Sequence, residues 1–310
     1  MQTTSGTSRA AAFFQPGGPE VLRLIDVPEP SAGPGEVRVR VKAAGVQPFD
    51  VAVVAGQIHR QQDPAIPTVP GNEFAGVVDQ LGAGVTEFAI GAEVLGYGTL
   101  NSYQELLTVP VTQVAAKPAN MPWEVAGGFS AGAQTAHIAL EEIGIGPGDT
   151  ILVHGAAGAV GTFAVQLSRL RGATVIGTAR AAQHDYVREL GAVPLDYTDD
   201  FVDRVRALAP QGVDAAVDGV GGPALDATLE LVKDRSRILT LTDHGKAAGL
   251  GIRVTPLARS AARLTELANQ YAEGHLRLPI MATYPLANAA DALRAYQAGG
   301  VHGKIVITIP

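Results

Sequence analysis

Hydrophobic and polar positions follow two rhythms along this chain. From Glu36 to Lys42 the run Glu-Val-Arg-Val-Arg-Val-Lys alternates polar and apolar residues with a period of two. A strand with one face on a core and the other in water has that pattern. Turn residues crowd around it at Pro16-Gly-Gly-Pro19, Pro28-Glu-Pro30 and Gly33-Pro-Gly35, and Leu81-Gly-Ala-Gly-Val85 is a further turn. With strands also expected at 75–80 and 93–95, the first part reads as a small glycine-rich β barrel or sandwich. Past Pro122 the rhythm changes. Residues 123–132 and 135–143 have helical spacing, and Gly144-Ile-Gly-Pro-Gly148 stops them. Apolar runs expected as strands at 150–154, 174–177, 193–195, 213–218, 237–242 and 252–255 then alternate with helical stretches such as 183–190, 201–208 and 224–231. This is the α/β pattern of a doubly wound parallel sheet. An amphipathic helix is expected at 258–273, a helix at 288–297, and a last strand at 304–309 able to rejoin the first β region. The pattern divides the chain into 1–122, 123–275 and a returning segment 276–310.

One junction carries chemistry. The strand Ile151-Leu-Val-His154 runs into Gly155-Ala-Ala-Gly158-Ala-Val-Gly161, which opens onto the helical stretch 162–170. A strand, a Gly-x-x-Gly-x-x-Gly turn and a helix N-terminus form a cradle for a dinucleotide pyrophosphate. The glycines allow a tight turn and close backbone approach, and the helix start offers unpaired N–H groups. The second strand ends Val175-Ile-Gly-Thr-Ala-Arg180 with no acid at its tip, where a site for NAD would place a carboxylate on the ribose 2′-hydroxyl. Gly177 leaves room, Thr178 has a hydroxyl to donate, and Arg180 can pair with a 2′-phosphate. NADP(H) is therefore expected over NAD(H).

Composition narrows the classes. A chain of 310 residues with 46% hydrophobic and 17% charged residues suits two globular domains. A net charge of −7 and a pI near 5.5 argue against nucleic acid or an anionic membrane as partner. The absence of cysteine removes disulfides, thiolate metal sites and a cysteine nucleophile. Residues 1–9 are polar, are expected to fray and lack the apolar stretch of a signal peptide. No apolar run is long enough to span a bilayer, so the cytoplasm is the expected location.

Several stretches together resemble the zinc-independent medium-chain dehydrogenase/reductases, within them the quinone oxidoreductase (zeta-crystallin-like) group. They are 33–46, Pro70-Gly-Asn-Glu-Phe-Ala-Gly-Val-Val78, the loop 155–161, Val217-Asp-Gly-Val-Gly-Gly222 and Val301-His-Gly-Lys-Ile-Val-Ile307. The resemblance covers roughly residues 10–310. It implies a GroES-like β domain, a Rossmann domain, a cleft between them and a homodimer formed through the last Rossmann strands. It places the nicotinamide near Thr135, Gly219, Val220, Leu241 and Thr242, and the pyrophosphate on Gly155, Ala156, Gly158, Ala159, Val160 and Gly161. The adenine ribose would meet Thr178, Arg180 and Tyr197, and Lys304 would approach the cofactor. Where zinc alcohol dehydrogenases carry ligands, this chain has Gln47, Asn72 and none in Gly128-Phe-Ser-Ala-Gly132; the lone carboxylate Glu73 does not hold zinc.

Without a Lewis acid, a quinone or an α,β-unsaturated carbonyl is an easier hydride acceptor than a simple ketone. The product anion needs only hydrogen-bond donors and a proton. Candidates on the substrate side are Gln47, Asp50, Asn72, Tyr97 and Tyr103. For both tyrosines barrel packing is the competing role, and for Asp50 a structural turn. Gln47 and Val54 depart from the Asn and Arg of many relatives, and 57–63 is unusually polar. This leaves open a low-turnover NADPH-binding protein or a pathway-specific tailoring enzyme. The histidines form no site: His154 ends a strand, His137 packs or meets substrate, His184 sits where it could assist Arg180, and His59, His244, His275 and His302 read as loop.

Overall fold

A computed structural model describes residues 6–58, 65–198 and 200–310. The polar run expected at 57–63 lies outside the described residues from His59 on. The chain forms two compact units, one of residues 1–131, 260–272 and 279–310, the other of 132–259 and 273–278.

The first unit is built on a seven-stranded mixed sheet. Its path runs Ile280–Pro285, Lys304–Thr308, Glu36–Gly45, Glu73–Leu81, Glu93–Tyr97 and Val114–Ala116, with Leu106–Pro110 also pairing with Glu36–Gly45. The alternation seen in sequence is physical. Val37, Val39 and Val41 are fully buried, while Arg38 and Arg40 turn outward and both meet Asp79, at 2.8 and 3.2 Å. The strand near the C-terminus rejoins this sheet as expected: Val306, Ile307 and Thr308 face Gly45, Ala44 and Ala43 in antiparallel register. The expectation of a frayed start fails from Thr7 onward, because Thr7–Ala12 pairs with Arg23–Pro28 and Ala10, Ala11 and Ala12 enter the core.

The second unit is built on a Rossmann-like sheet of six parallel strands. In spatial order they are Val193–Leu195, Thr174–Thr178, Thr150–His154, Ala215–Asp218, Ile238–Thr240 and Arg253–Val254. Ile151, Leu152 and Val153 are all fully buried, since a parallel sheet is covered on both faces. The order in which strands are added reverses between Thr150–His154 and Ala215–Asp218, which lie side by side in parallel register. In such sheets the ligand crevice opens at the carboxyl ends of the strands flanking that switch point. Those ends are His154 and Asp218.

The structure redraws two expected features. The helices expected at 123–132 and 135–143 are one continuous helix, Trp123–Glu142, because Gly132 lies inside it against the Phe163 ring and does not break it. The helix Ala261–Ala272 belongs to the first unit, not the second.

Candidate active site

The glycine loop sits where the topology requires. Gly158 caps the helix Ala159–Leu170 with extended backbone. The loop is closed by Gly158 N–H donating to Gly155 O at 3.0 Å and by Ala156 N–H donating to Thr178 O at 2.9 Å. Gly161 is the tightest point. A Cβ there would stand 2.1 Å from Gly155 O and 2.7 Å from Ala156 Cα. Ala156 is buried, whereas Gly155, Gly158, Ala159 and Val160 are partly exposed, as a phosphate cradle needs.

A second loop is anchored by Asp218. Its Oδ1 accepts from the backbone N–H of Val220 (3.0 Å) and Gly221 (2.8 Å), and its Oδ2 from Thr240 Oγ1 (2.9 Å). Thr240 Oγ1 in turn accepts from Thr242 N and Asp243 N, and Gly222 N donates to Asp243 Oδ2. One fully buried carboxylate thus fixes both 219–222 and 241–243, the segments expected around the nicotinamide. Gly219, Val220 and Thr242 are exposed and Leu241 partly so, leaving these loop tips open. Thr135 lies elsewhere in the same unit, on the helix Trp123–Glu142, where Arg259 Nη2 donates to its hydroxyl at 3.4 Å.

On the adenosine side the placements diverge. Arg180 is exposed, and its guanidinium makes no ion pair or hydrogen bond with another described residue. Thr178, by contrast, is fully buried and turns its hydroxyl inward to Tyr197, His154 and the Gly155 N–H. Tyr197 is 43% exposed, but its hydroxyl joins that inner cluster. His184 bonds the Ala179 carbonyl through Nε2 at 3.2 Å, bracing the turn that carries Arg180. Sequence reasoning passed over His154 and Thr228 as site residues. The available signal was a polar side chain ending an otherwise apolar buried strand, which must find partners.

The substrate-side candidates lie together in the first unit. Gln47 Nε2 donates to Asn72 Oδ1 at 2.7 Å. That leaves the Asn72 amide N–H groups without a partner among the described residues, as donors. Asp50 is fully buried: Oδ2 accepts from Gln47 N (3.0 Å) and Tyr103 OH (2.9 Å), and Oδ1 from Gly71 N (3.2 Å). Burial still outweighs these donors and pushes its pKa up to about 7. The Tyr103 hydroxyl is committed to Asp50, and burial raises its pKa well above the usual phenol value. Tyr97 is buried at the end of its strand, opposite Glu73. Val54 is core.

Beside them, Glu73 is fully buried with Oε2 accepting from Ala131 N at 2.7 Å and Oε1 2.6 Å from Lys304 Nζ. Lys304, expected at the cofactor, spends its charge on this pair. Gly45 and Gly128 make room for it: a Cβ on Gly45 would stand 2.1 Å from Glu73 Oε1, and one on Gly128 2.7 Å from Lys304 Cγ. Zinc does not fit these residues. Two amides and a carboxylate already neutralised by an ammonium are not a three-ligand set, and no metal-ligating cluster occurs among the described residues.

Comparison with known proteins finds two family models in the chain. Residues 33–120 match the alcohol dehydrogenase GroES-like domain, and residues 190–307 match the zinc-binding dehydrogenase model. The human synaptic vesicle membrane protein VAT-1 homolog is 31% identical over 94% of this chain and 84% of its own. A quinone oxidoreductase from Coxiella burnetii superposes with a TM-score of 0.89 at 26% identity, covering 98% of this chain and 100% of that one. A mycobacterial protein solved in complex with NADPH superposes at 0.85 with 30% identity, over 97% and 99% of the two chains.

Proposed function

Because this chain belongs to the medium-chain dehydrogenase/reductase family, we propose that it is an NADPH-dependent, metal-free reductase of quinones or α,β-unsaturated carbonyls. The coarser part, an oxidoreductase with a nicotinamide-binding Rossmann unit, follows from the family. The finer part rests on the donor set at 47, 72 and 73. Gln47 orients Asn72, whose amide N–H groups have no partner among the described residues and suit an oxygen that gains negative charge, and Glu73 is unavailable to a metal. NADPH, when bound, supplies hydride to the β carbon of an enone or to a quinone ring. The chain's own work is to hold the acceptor in place and to donate hydrogen bonds to its oxygen. The preference for NADPH is supported by Arg180, a guanidinium without a partner among the described residues beyond a strand tip that lacks a carboxylate, and by the mycobacterial neighbour solved with NADPH.

The family resemblance also supports a homodimer. The strand Arg253–Val254 stands at the edge of the Rossmann sheet with both residues exposed. No helix of the described residues is long and apolar enough to cross a membrane.

Steady-state oxidation of NADPH and NADH against quinones, enones, enals and saturated ketones tests this reading. Quinones or enones are expected to turn over with NADPH preferred and saturated ketones inert. Arg180→Ala is expected to weaken NADPH by about tenfold, the worth of one charge-assisted contact, while leaving NADH unchanged. Saturable NADPH binding without oxidation of any acceptor would instead mark a binding protein. Conversion of substrate without net NADPH use would mark a tailoring enzyme.

A further inference from the structure

Resting on the reading that the 155–161 loop receives a dinucleotide, we infer that His154 is the positioning residue of that site. As a neutral imidazole protonated at Nε2, it holds Tyr197 and, through Thr178, the first glycine of the loop.

The proton's location follows from counting donors. His154 Nε2 lies 2.7 Å from Thr228 Oγ1. Thr228 has one hydroxyl proton, and it donates that proton to the Ala224 carbonyl at 2.9 Å. A carbonyl can only accept, so Thr228 meets the imidazole as an acceptor, and the proton between them belongs to Nε2. The Nδ1 of a neutral imidazole protonated at Nε2 carries a bare lone pair. It faces the Tyr197 hydroxyl and, at 3.2 Å, Thr178 Oγ1. Thr178 Oγ1 accepts from Gly155 N–H at 3.2 Å and lies 2.9 Å from Tyr197 OH.

Every proton then has one destination. Gly155 N–H gives to Thr178, Thr178 to Tyr197, Tyr197 to Nδ1, Nε2–H to Thr228, and Thr228 to Ala224 on the helix Pro223–Leu231. The relay joins the phosphate loop to the helix that follows the 219–222 loop. It runs in one direction with no donor left over, the arrangement a buried polar network requires. His154, Thr178 and Thr228 are each at most 1% exposed. Burial pushes the His154 pKa down to about 4 against the pull of Asp218, whose oxygens are already engaged by Val220, Gly221 and Thr240. The Tyr197 ring stacks on His154 with centroids 5.6 Å apart and lies 5.0 Å from Phe201. Its hydroxyl is pinned inside while much of the ring stays open to an adenosine.

Two measurements test this. Long-range 1H–15N correlation spectra of the cofactor-free protein near pH 7 are expected to show His154 with a pyrrole-type Nε2 and a pyridine-type Nδ1. An Nδ1–H tautomer or an imidazolium overturns the relay, whether or not a dinucleotide binds. NADPH titration then separates positioning from packing. Asparagine can keep an acceptor where Nδ1 stood, glutamine only a donor where Nε2 stood, and leucine neither. His154→Asn is expected to bind NADPH within about threefold of the parent, and His154→Gln and His154→Leu about tenfold more weakly. Tyr197→Phe should show the same loss and add nothing to His154→Leu. Equal affinities across variants with unchanged melting temperature overturn the positioning role. A parent that binds neither NADPH nor NADH removes the dinucleotide reading and the positioning role with it, while the spectra still decide the relay.

Discussion

Lys304→Met is expected to destabilise the protein by about 3–5 kcal/mol, because it leaves the Glu73 carboxylate buried without its counter-charge. Glu73 has no exposed surface and the Lys304 side chain is 3% exposed, so water cannot take over the role of the lost ammonium. The Asp50 carboxyl adds to the cost, since Lys304 also helps hold its charge. The size of the loss is a statement about breaking the pair, not about the worth of the pair itself. A double variant, Glu73→Gln with Lys304→Met, is expected to recover more than half of the loss. The glutamine carbonyl still accepts from Ala131 N, and position 73 no longer buries a charge without its partner. Urea unfolding of the parent and the two variants decides it. A single substitution costing under about 1 kcal/mol would mean that the pair behaves as a solvated surface bridge.

Gly161→Ala is expected to cost about 3 kcal/mol, the upper end of overpacking effects, and to lower dinucleotide affinity by more than about tenfold. The added methyl would meet backbone, Gly155 O at 2.1 Å and Ala156 Cα at 2.7 Å, so no side chain can swing aside. The loop itself must open, moving the N–H groups meant for phosphate. Gly158→Ala is the control. Its Cβ would meet only Gly155 O, at 3.4 Å, and its backbone already has φ −73° and ψ 171°, open to any residue. Thermal melting together with NADPH titration separates the two positions. If Gly161→Ala melts and binds like the parent, the loop is not as tightly closed as described.

The Rossmann unit was legible because its strands are buried on both faces. Apolar runs such as Ile151-Leu-Val153 and Ala215-Ala-Val217 stand out between turn glycines, and Arg253–Val254, though exposed, sits within its expected window 252–255. The first unit was read less completely. Leu106–Pro110 and Val114–Ala116 are too short for a period to show, and Thr7–Ala12 is made largely of alanine, which has little strand preference. The break expected near 132–135 reflects a propensity rule overridden by packing, since glycines in Trp123–Glu142 let neighbours approach closely. At the site, the loop at 155–161 is local in sequence and was found. The His154 cluster joins residues 154, 178, 197 and 228, whose spacing carries no motif. The pairing of Lys304 with Glu73, more than two hundred positions away, carries no local signal either.

The same strand, Lys304–Thr308, has a consequence for how the protein is made. It lies between Ile280–Pro285 and Glu36–Gly45 in the sheet of the first unit. While a ribosome extends the chain, the Rossmann strands from Thr150 to Val254 all emerge before it and can close their sheet at once. The edge of Glu36–Gly45 that awaits Val306–Thr308 stays unpaired throughout that interval. An open strand edge held for that long is a template for another nascent chain. A sheet begun before the Rossmann unit is thus finished only after it, and its protection during translation falls to whatever chaperones reach it.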